Sequence, residues 1–226
     1  MIRRDYILRM IEEFTEALAR INASKHGQKW DDATGDVDTQ FKRLIGINPQ
    51  AILQMSETEI LARTVHGEPT HLAHDKILMV TTLLKESGDI AQARDRTVEA
   101  HGYYLKSLHL LLDTLGRGEI FECPEFVPKV QALREALEGL PLPVRTQAML
   151  MQHFERTGEF AKAEDALFAM LEAEPEPNGV VNFGVAFYQR LLDRTDAALI
   201  AGALPRTEVA EGLRELRDRQ KPKSCG

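Results

Sequence analysis

Apolar residues recur along this chain at spacings of three and four. Ile7, Ile11, Phe14, Leu18 and Ile21 are separated by 4, 3, 4 and 3 positions. At 3.6 residues per turn that sets all five on one helical stripe, which Ile2, Tyr6 and Met10 widen. Gly27 supplies a stop just past the last turn. Trp30, Ala33, Val37, Phe41 and Leu44 predict a second helix over 30–44, with Gly35 as its weak interior point. Gly46, Asn48 and Pro49 mark a turn. Ser56 followed by Glu59 is a capping box, so a short helix should begin near Glu57 and end at Gly67 and Pro69.

The same grammar continues. Ile77, Val80, Leu83 and Leu84 line a helix that Gly88 should close. Ala93, Thr97, Ala100, Tyr104, Leu108 and Leu111 line a longer one, which Gly116 and Gly118 should break. Phe126, Val130, Leu133 and Leu137 follow, closed by Gly139, Pro141 and Pro143. No stretch alternates apolar and polar residues between turn signals, so no strand is expected. Toward the end, Val180, Gly184, Phe187, Tyr188 and Leu191 form one stripe behind Asn178 as N-cap. Val209, Leu213 and Leu216 form another behind Thr207. The last helix carries Glu208, Glu211, Arg214, Glu215, Arg217 and Asp218 on its other side, as the end of a helical stack requires.

An internal repeat organises these helices. Gly158-Glu159-Phe160-Ala161-Lys162-Ala163 reads as a turn and the start of a second helix. Leu150 and Phe154 precede it, Leu167 follows, and Pro175 terminates. Phe154 and Tyr188 are 34 residues apart, as are Ala163 and Ala197, while Gly158 and Gly88 are 70 apart. Gly88-Asp89-Ile90-Ala91-Gln92-Ala93 is a near copy of the later turn.

This pattern resembles the tetratricopeptide-repeat-like superfamily, best over Val144 to Pro177 and more weakly around Lys76–Ser107 and Asn178–Pro205. Met151 and Met170 depart from it, standing where that family prefers small residues. Separately, Arg4-Asp5-Tyr6 through Ile21 and then Leu44-Ile45-Gly46-Ile47-Asn48-Pro49 resemble a group of uncharacterised bacterial proteins, which implies a bacterial origin and no known activity. The fold expected is all-α, a tetratricopeptide-like superhelix of stacked antiparallel hairpins. It divides into an N-terminal hairpin plus short helix over 1–66, repeats over 70–205, a capping helix over 206–220 and a disordered tail over 221–226.

Composition narrows the function classes. The chain has 226 residues, 43% hydrophobic and 28% charged, with 28 Lys plus Arg against 35 Asp plus Glu and a net charge of −7. An acidic balance disfavours nucleic-acid binding and polybasic attachment to lipid. No apolar run approaches the roughly 20 residues that span a bilayer, and the opening stretch is broken by Arg9, Glu12 and Glu13, unlike a signal peptide. Cys123 and Cys225 cannot build a disulfide scaffold. A cytoplasmic location is expected, with no nucleic-acid or membrane partner.

Chemistry is sparse. His71 and His74 share a helix face near His66 and Asp75, but neither zinc-protease signature is present. His101 and His109 flank Tyr103 and Tyr104 on one long helix. Cys123 precedes Pro124 with no basic neighbour to activate it. Gly116-Arg117-Gly118 is too short for a phosphate loop. Glu12-Glu13 and Asp31-Asp32 read as solvated surface. No cofactor is expected.

The tetratricopeptide resemblance implies a non-enzymatic module that holds a protein or peptide in a groove lined by the first helix of each repeat. Transferred by position, the groove takes Arg145, Ala148, Gln152 and Glu155 from the best repeat and Gly179, Asn182, Ala186 and Gln189 from the next. The earlier repeat would add Asp75, Leu78, Thr82 and Lys85. The Lys and Asn pattern of members that clamp a C-terminal carboxylate is absent. The alternative is a metal- or small-molecule-binding enzyme or sensor with a pocket lined by His71, His74 or His101. The first helix stripe admits two uses, an internal contact with the 30–44 helix or pairing with a second copy in a homodimer.

Overall fold

The computed structural model describes residues 2–67, 69–117, 123–174 and 178–220. Every regular element among them is a helix. The chain divides into two compact units, Met1–Leu140 and Pro141–Gly226. The array expected over 70–205 is therefore shared between the two units. The tail at 221–226, Pro175, Gly118 and Cys225 lie outside the described residues.

In the first unit, α1 (Ile2–His26) packs on α2 (Trp30–Ile45). Phe14 and Ile21 from the expected stripe are fully buried within this unit. Each such side chain stabilises the fold by about 1.5–3 kcal/mol. The connection turns at Gln28, a non-glycine residue with φ 56, rather than at Gly27. The second helix matches expectation closely and ends on Gly46 in the left-handed region, φ 72, where the amide donates to the Lys42 carbonyl. Asn48 then caps a one-turn helix, α3 (Pro49–Leu53), by accepting from the Ala51 amide at 2.9 Å. The Ser56–Glu59 capping box forms as expected and starts α4 (Glu57–Val65).

The central pair of this unit is α5 (Thr70–Ala93) against α6 (Thr97–Gly116). Gly88 does not close a helix; it lies inside α5. The reversal comes later, around Asp95 with φ 58, so the motif at Gly88–Ala93 is not a hairpin turn. Ala93 consequently belongs to α5 rather than to the helix after it. A short α7 (Val130–Ala136) packs on α6. Phe126 lies in the loop before it and meets Phe14 edge-on, with ring centroids 5.1 Å apart.

In the second unit, α8 (Val144–Thr157) and α9 (Phe160–Ala173) form a hairpin. It turns at Gly158, φ 79, as the sequence motif demands. Ala163 is fully buried, and so are Met151 and Met170, which fill the space that smaller residues would leave. Next, α10 (Asn178–Leu192) packs against α12 (Arg206–Gln220), with a single-turn-and-a-half α11 (Asp196–Ala201) between them. Thr195 caps α11; Thr207, expected as the cap of the last helix, lies inside α12 instead. Between the hairpins, the Ala161 amide donates to the Gly202 carbonyl at 3.0 Å.

Candidate functional site

The groove residues fall into three groups. On α8, Gln152 and Arg145 are exposed, and Glu155 lies one turn beyond Gln152 on the same face. Glu155 is held by Arg190 of α10 through two parallel hydrogen bonds of 2.6 and 2.7 Å. That fork geometry is the strong form of an Arg–carboxylate pair. It lifts the Arg190 guanidinium above its ordinary pKa, chiefly through the hydrogen bond to Glu155. Gln189, next to Arg190, is exposed on α10. Structure thus joins Glu155 of α8 to Arg190 of α10, with Gln152 and Gln189 exposed on the same two helices. Arg190 was missed by position counting: it lies 35 residues after Glu155, one off the 34-residue period.

Asn182 belongs elsewhere. Its side-chain oxygen accepts from Gln220 of α12 at 2.7 Å, so it ties α10 to the last helix.

Thr82, Lys85 and Leu78 are in the first unit and do not line an open groove there. Thr82 is 2% exposed and donates to the Leu78 carbonyl at 2.9 Å. Leu78 itself is fully buried. These positions face inward because α5 packs against α2, α4 and α6, leaving it little free surface. Lys85 enters an ion cluster with Asp89 at 2.7 Å and Glu86 at 3.3 Å. Lys25 from α1 joins both acids, at 2.5 Å to Glu86 and closer to Asp89, and Tyr104 donates to Asp89 at 3.0 Å. Burial alone would lift the Asp89 carboxyl, but the Lys85 and Lys25 ammoniums outweigh it and hold it below its ordinary value. Lys85 is moved up: burial opposes its charge, and Glu86 and Asp89 more than offset that.

The histidines do not converge. Among the described residues no group of three His, Cys, Asp or Glu side chains could hold a metal ion. The side chain of His71 lies outside the described residues. His109 is buried and its Nδ1 lies 2.9 Å from Glu57 Oε1 on α4, which pins α4 to α6. Burial raises the Glu57 carboxyl, but the hydrogen bond with His109, a backbone hydrogen bond and the nearby charges outweigh it, for a net decrease. Cys123 is exposed.

A polar cavity that sequence reasoning did not find lies among α2, α3, α5 and α6. Asp38, Ser87, Arg96 and Tyr103 line it with Val37 and Ile90. Asp38 Oδ1 and Arg96 Nε are buried without a hydrogen-bond partner among the described residues. Burial pushes the Asp38 carboxyl up against the pull of Lys42. Burial, followed by the charge of Glu99, pushes the Tyr103 phenol up to about 12. The cavity volume is about 20 Å³. One water needs roughly 10–15 Å³ on this measure, so the space takes one water-sized group and no substrate. No histidine lines it.

A family model matches residues 1–221; its description is a family of unknown function, DUF6483. No curated protein and no solved structure matches the chain. No helix among the described residues is long and apolar enough to cross a membrane.

Proposed function

We infer the function of this chain, which belongs to that family of unknown function, from its own geometry: it is a non-enzymatic helical interaction module. In this reading the second unit is tetratricopeptide-like, with α8–α9 and α10–α12 as successive hairpins. Its α8/α10 face takes an extended segment of a partner protein. The observation that carries the reading is the Arg190–Glu155 fork. It ties the first helices of the two hairpins together, and first helices are what line the groove in that architecture. The left-handed Gly158 turn and the buried Ala163 support the same assignment. Gln152 and Gln189 each offer an amide donor and acceptor that can pair with a peptide backbone.

The test is affinity capture from the native host, followed by mapping of the captured protein with overlapping peptides. Replacing Gln152 and Gln189 together by Glu should weaken the mapped peptide at least about tenfold, since two backbone hydrogen bonds are lost. A partner that binds equally well to the double variant removes the α8/α10 assignment.

A further inference from the structure

Three helices of the second unit meet at one buried ring. Tyr188 of α10 is fully buried, and its hydroxyl donates to Glu164 Oε1 of α9 at 2.5 Å. The ring presses on α12 at Gly212, where a built Cβ would lie 2.3 Å from Cζ. One turn earlier on α10, Gly184 lets Leu167 of α9 and Leu216 of α12 close over the backbone. A Cβ there would stand 2.9 Å from Leu167 Cδ1 and 2.5 Å from Leu216 Cδ1. Packing this tight leaves Tyr188 no room to withdraw, and its hydrogen bond keeps the half-buried Glu164 carboxyl turned toward the joint.

The charges around that carboxyl are of one sign. Glu208, Gly212 and Glu215 are separated by 4 and 3 positions and share one face of α12. The face that receives Tyr188 thus carries a carboxylate one turn to either side, and Asp165 follows Glu164 on α9. Among the described residues no Lys or Arg pairs with Glu164, Glu208 or Glu215. The cations of the neighbouring elements are committed elsewhere: Lys162 to Glu159, Arg190 to Glu155, and Arg206 to Asp196 and to the Leu192 and Arg194 carbonyls. On α8, His153 lies by Arg156, Glu159 and Lys162 at the hairpin turn. Nor, among the described residues, are three acids placed to hold a metal ion. An ionised Glu164 has therefore lost water, has one donor for oxygens that can accept about four hydrogen bonds, and meets like charges from α12.

We propose that Glu164 is a proton-operated lock: taking up one proton from solvent there tightens the joint of α9, α10 and α12 as the solution turns acid. The proton cancels the charge that burial and the α12 carboxylates oppose, while Tyr188 still donates to the carbonyl oxygen of the neutral carboxyl. Burial first, then Glu208, Asp165 and Glu215, outweigh the Tyr188 hydrogen bond and leave Glu164 above its ordinary value. A group raised on folding contributes stability that is whole below the unfolded value, about 4.3 for Glu, and is lost as pH climbs through the folded value. That sense is opposite to Asp89 of the first unit, whose carboxyl is held low. His153 also works against it: burial and the Arg156 charge hold the imidazole low, so acid weakens its surroundings.

Hydrogen exchange of the α10 amides in the full chain tests this, with Glu164→Gln as the comparison. That variant keeps an oxygen for Tyr188 and cannot ionise, and it shares His153 with the natural chain, so the histidine cancels. The ratio of natural to variant protection should rise about threefold from about pH 7 to about pH 4.5. In the natural chain, carboxyl carbon NMR should show Glu164 titrating above the ordinary glutamate value of about 4.3. Replacing Glu208 and Glu215 together by Gln should bring that midpoint down and shrink the rise in protection. A ratio that stays flat overturns the proposal, as does a Glu164 midpoint at or below the ordinary value. The titration needs only the natural chain, so it decides the matter even where Glu164→Gln fails to fold. A midpoint unmoved by the Glu208 and Glu215 changes removes α12 from the lock.

Discussion

Gly88 lies flat against the ring of Tyr104: a Cβ built on the glycine would sit 2.4 Å from Cε1 of the tyrosine. This contact explains why a glycine sits inside the 24-residue α5 without ending it. The missing side chain lets α6 approach α5 closely enough for Tyr104 to reach Asp89, the residue immediately following Gly88. Gly88→Ala should therefore destabilise the first unit by about 1–3 kcal/mol, the usual cost of overpacking. Gly35 gives the control. It sits exposed inside α2 with nothing within 4 Å of a built Cβ, so Gly35→Ala should stabilise by about 0.5–1 kcal/mol. Urea unfolding of both variants checks the opposite signs.

These two glycines also show how far the sequence reaches. The boundaries of α2, the capping box of α4 and the α8–Gly158–α9 hairpin were all legible, because each rests on signals a few residues apart. Gly88 was misread because a glycine that permits packing and a glycine that ends a helix look alike without the partner ring. The end of α1 at His26, just before Gly27, was announced, although the positive φ falls on Gln28; the turn at Asp95 uses a non-glycine residue at positive φ and was not. The polar cavity at Asp38, Arg96 and Tyr103 gathers residues from α2 and α6, and no spacing rule joins positions so far apart. The choice of Gln152 and Gln189 came from the tetratricopeptide resemblance, and both are exposed. The inward direction of Thr82 was not legible, since helix period cannot say how many neighbours surround a helix.

The Lys25–Lys85–Glu86–Asp89 cluster should make stability depend on acid. Asp89 has a folded pKa below its unfolded value. Its contribution is then fully present above the unfolded value, near 4, and disappears as pH falls through the depressed folded value. Unfolding free energy measured by urea should drop below about pH 4, and Asp89→Asn should flatten that acid limb. Lys85 has the opposite sense. Its folded pKa is raised, so its contribution holds below the unfolded value and is lost as pH climbs through the folded one. Replacing Lys25 by Met at neutral pH should cost about 2 kcal/mol, less than a fully orphaned buried pair because Lys85 remains. An acid limb unchanged in Asp89→Asn would assign the loss to other carboxylates.

The Arg190–Glu155 fork should be energetically coupled. Glu155 is largely covered and Arg190 is about half exposed, so solvent screens part of the interaction. A double-mutant cycle with Glu155→Ala and Arg190→Ala should give a coupling of about 1 kcal/mol, at the upper end for surface pairs because the geometry is bidentate. Coupling near zero would mean that other contacts alone set α8 beside α10.

Tyr188 should be the most sensitive position of the second unit. It is fully buried, donates to Glu164 of α9 at 2.5 Å, and presses on α12 where Gly212 leaves room. A Cβ at Gly212 would lie 2.3 Å from Cζ of the tyrosine. One side chain thus fastens α10 to α9 by a hydrogen bond and to α12 by close packing. Two substitutions separate these roles. Tyr188→Phe keeps the ring and removes the donor. Burial already lifts the Glu164 carboxyl, and the Tyr188 hydrogen bond is what opposes that rise. The Phe variant should therefore lose about 1–2 kcal/mol, the cost of a half-buried acceptor without its partner. It should also lift Glu164 further, which carboxyl carbon NMR can follow. Gly212→Ala leaves the donor in place and should cost about 1–3 kcal/mol by displacing the ring. Because that displacement also weakens the hydrogen bond, the two changes should not add: the double variant should lose less than the sum of the singles. Strict additivity would show that the ring and the hydroxyl act independently, and the single-fastener account of this unit would fail.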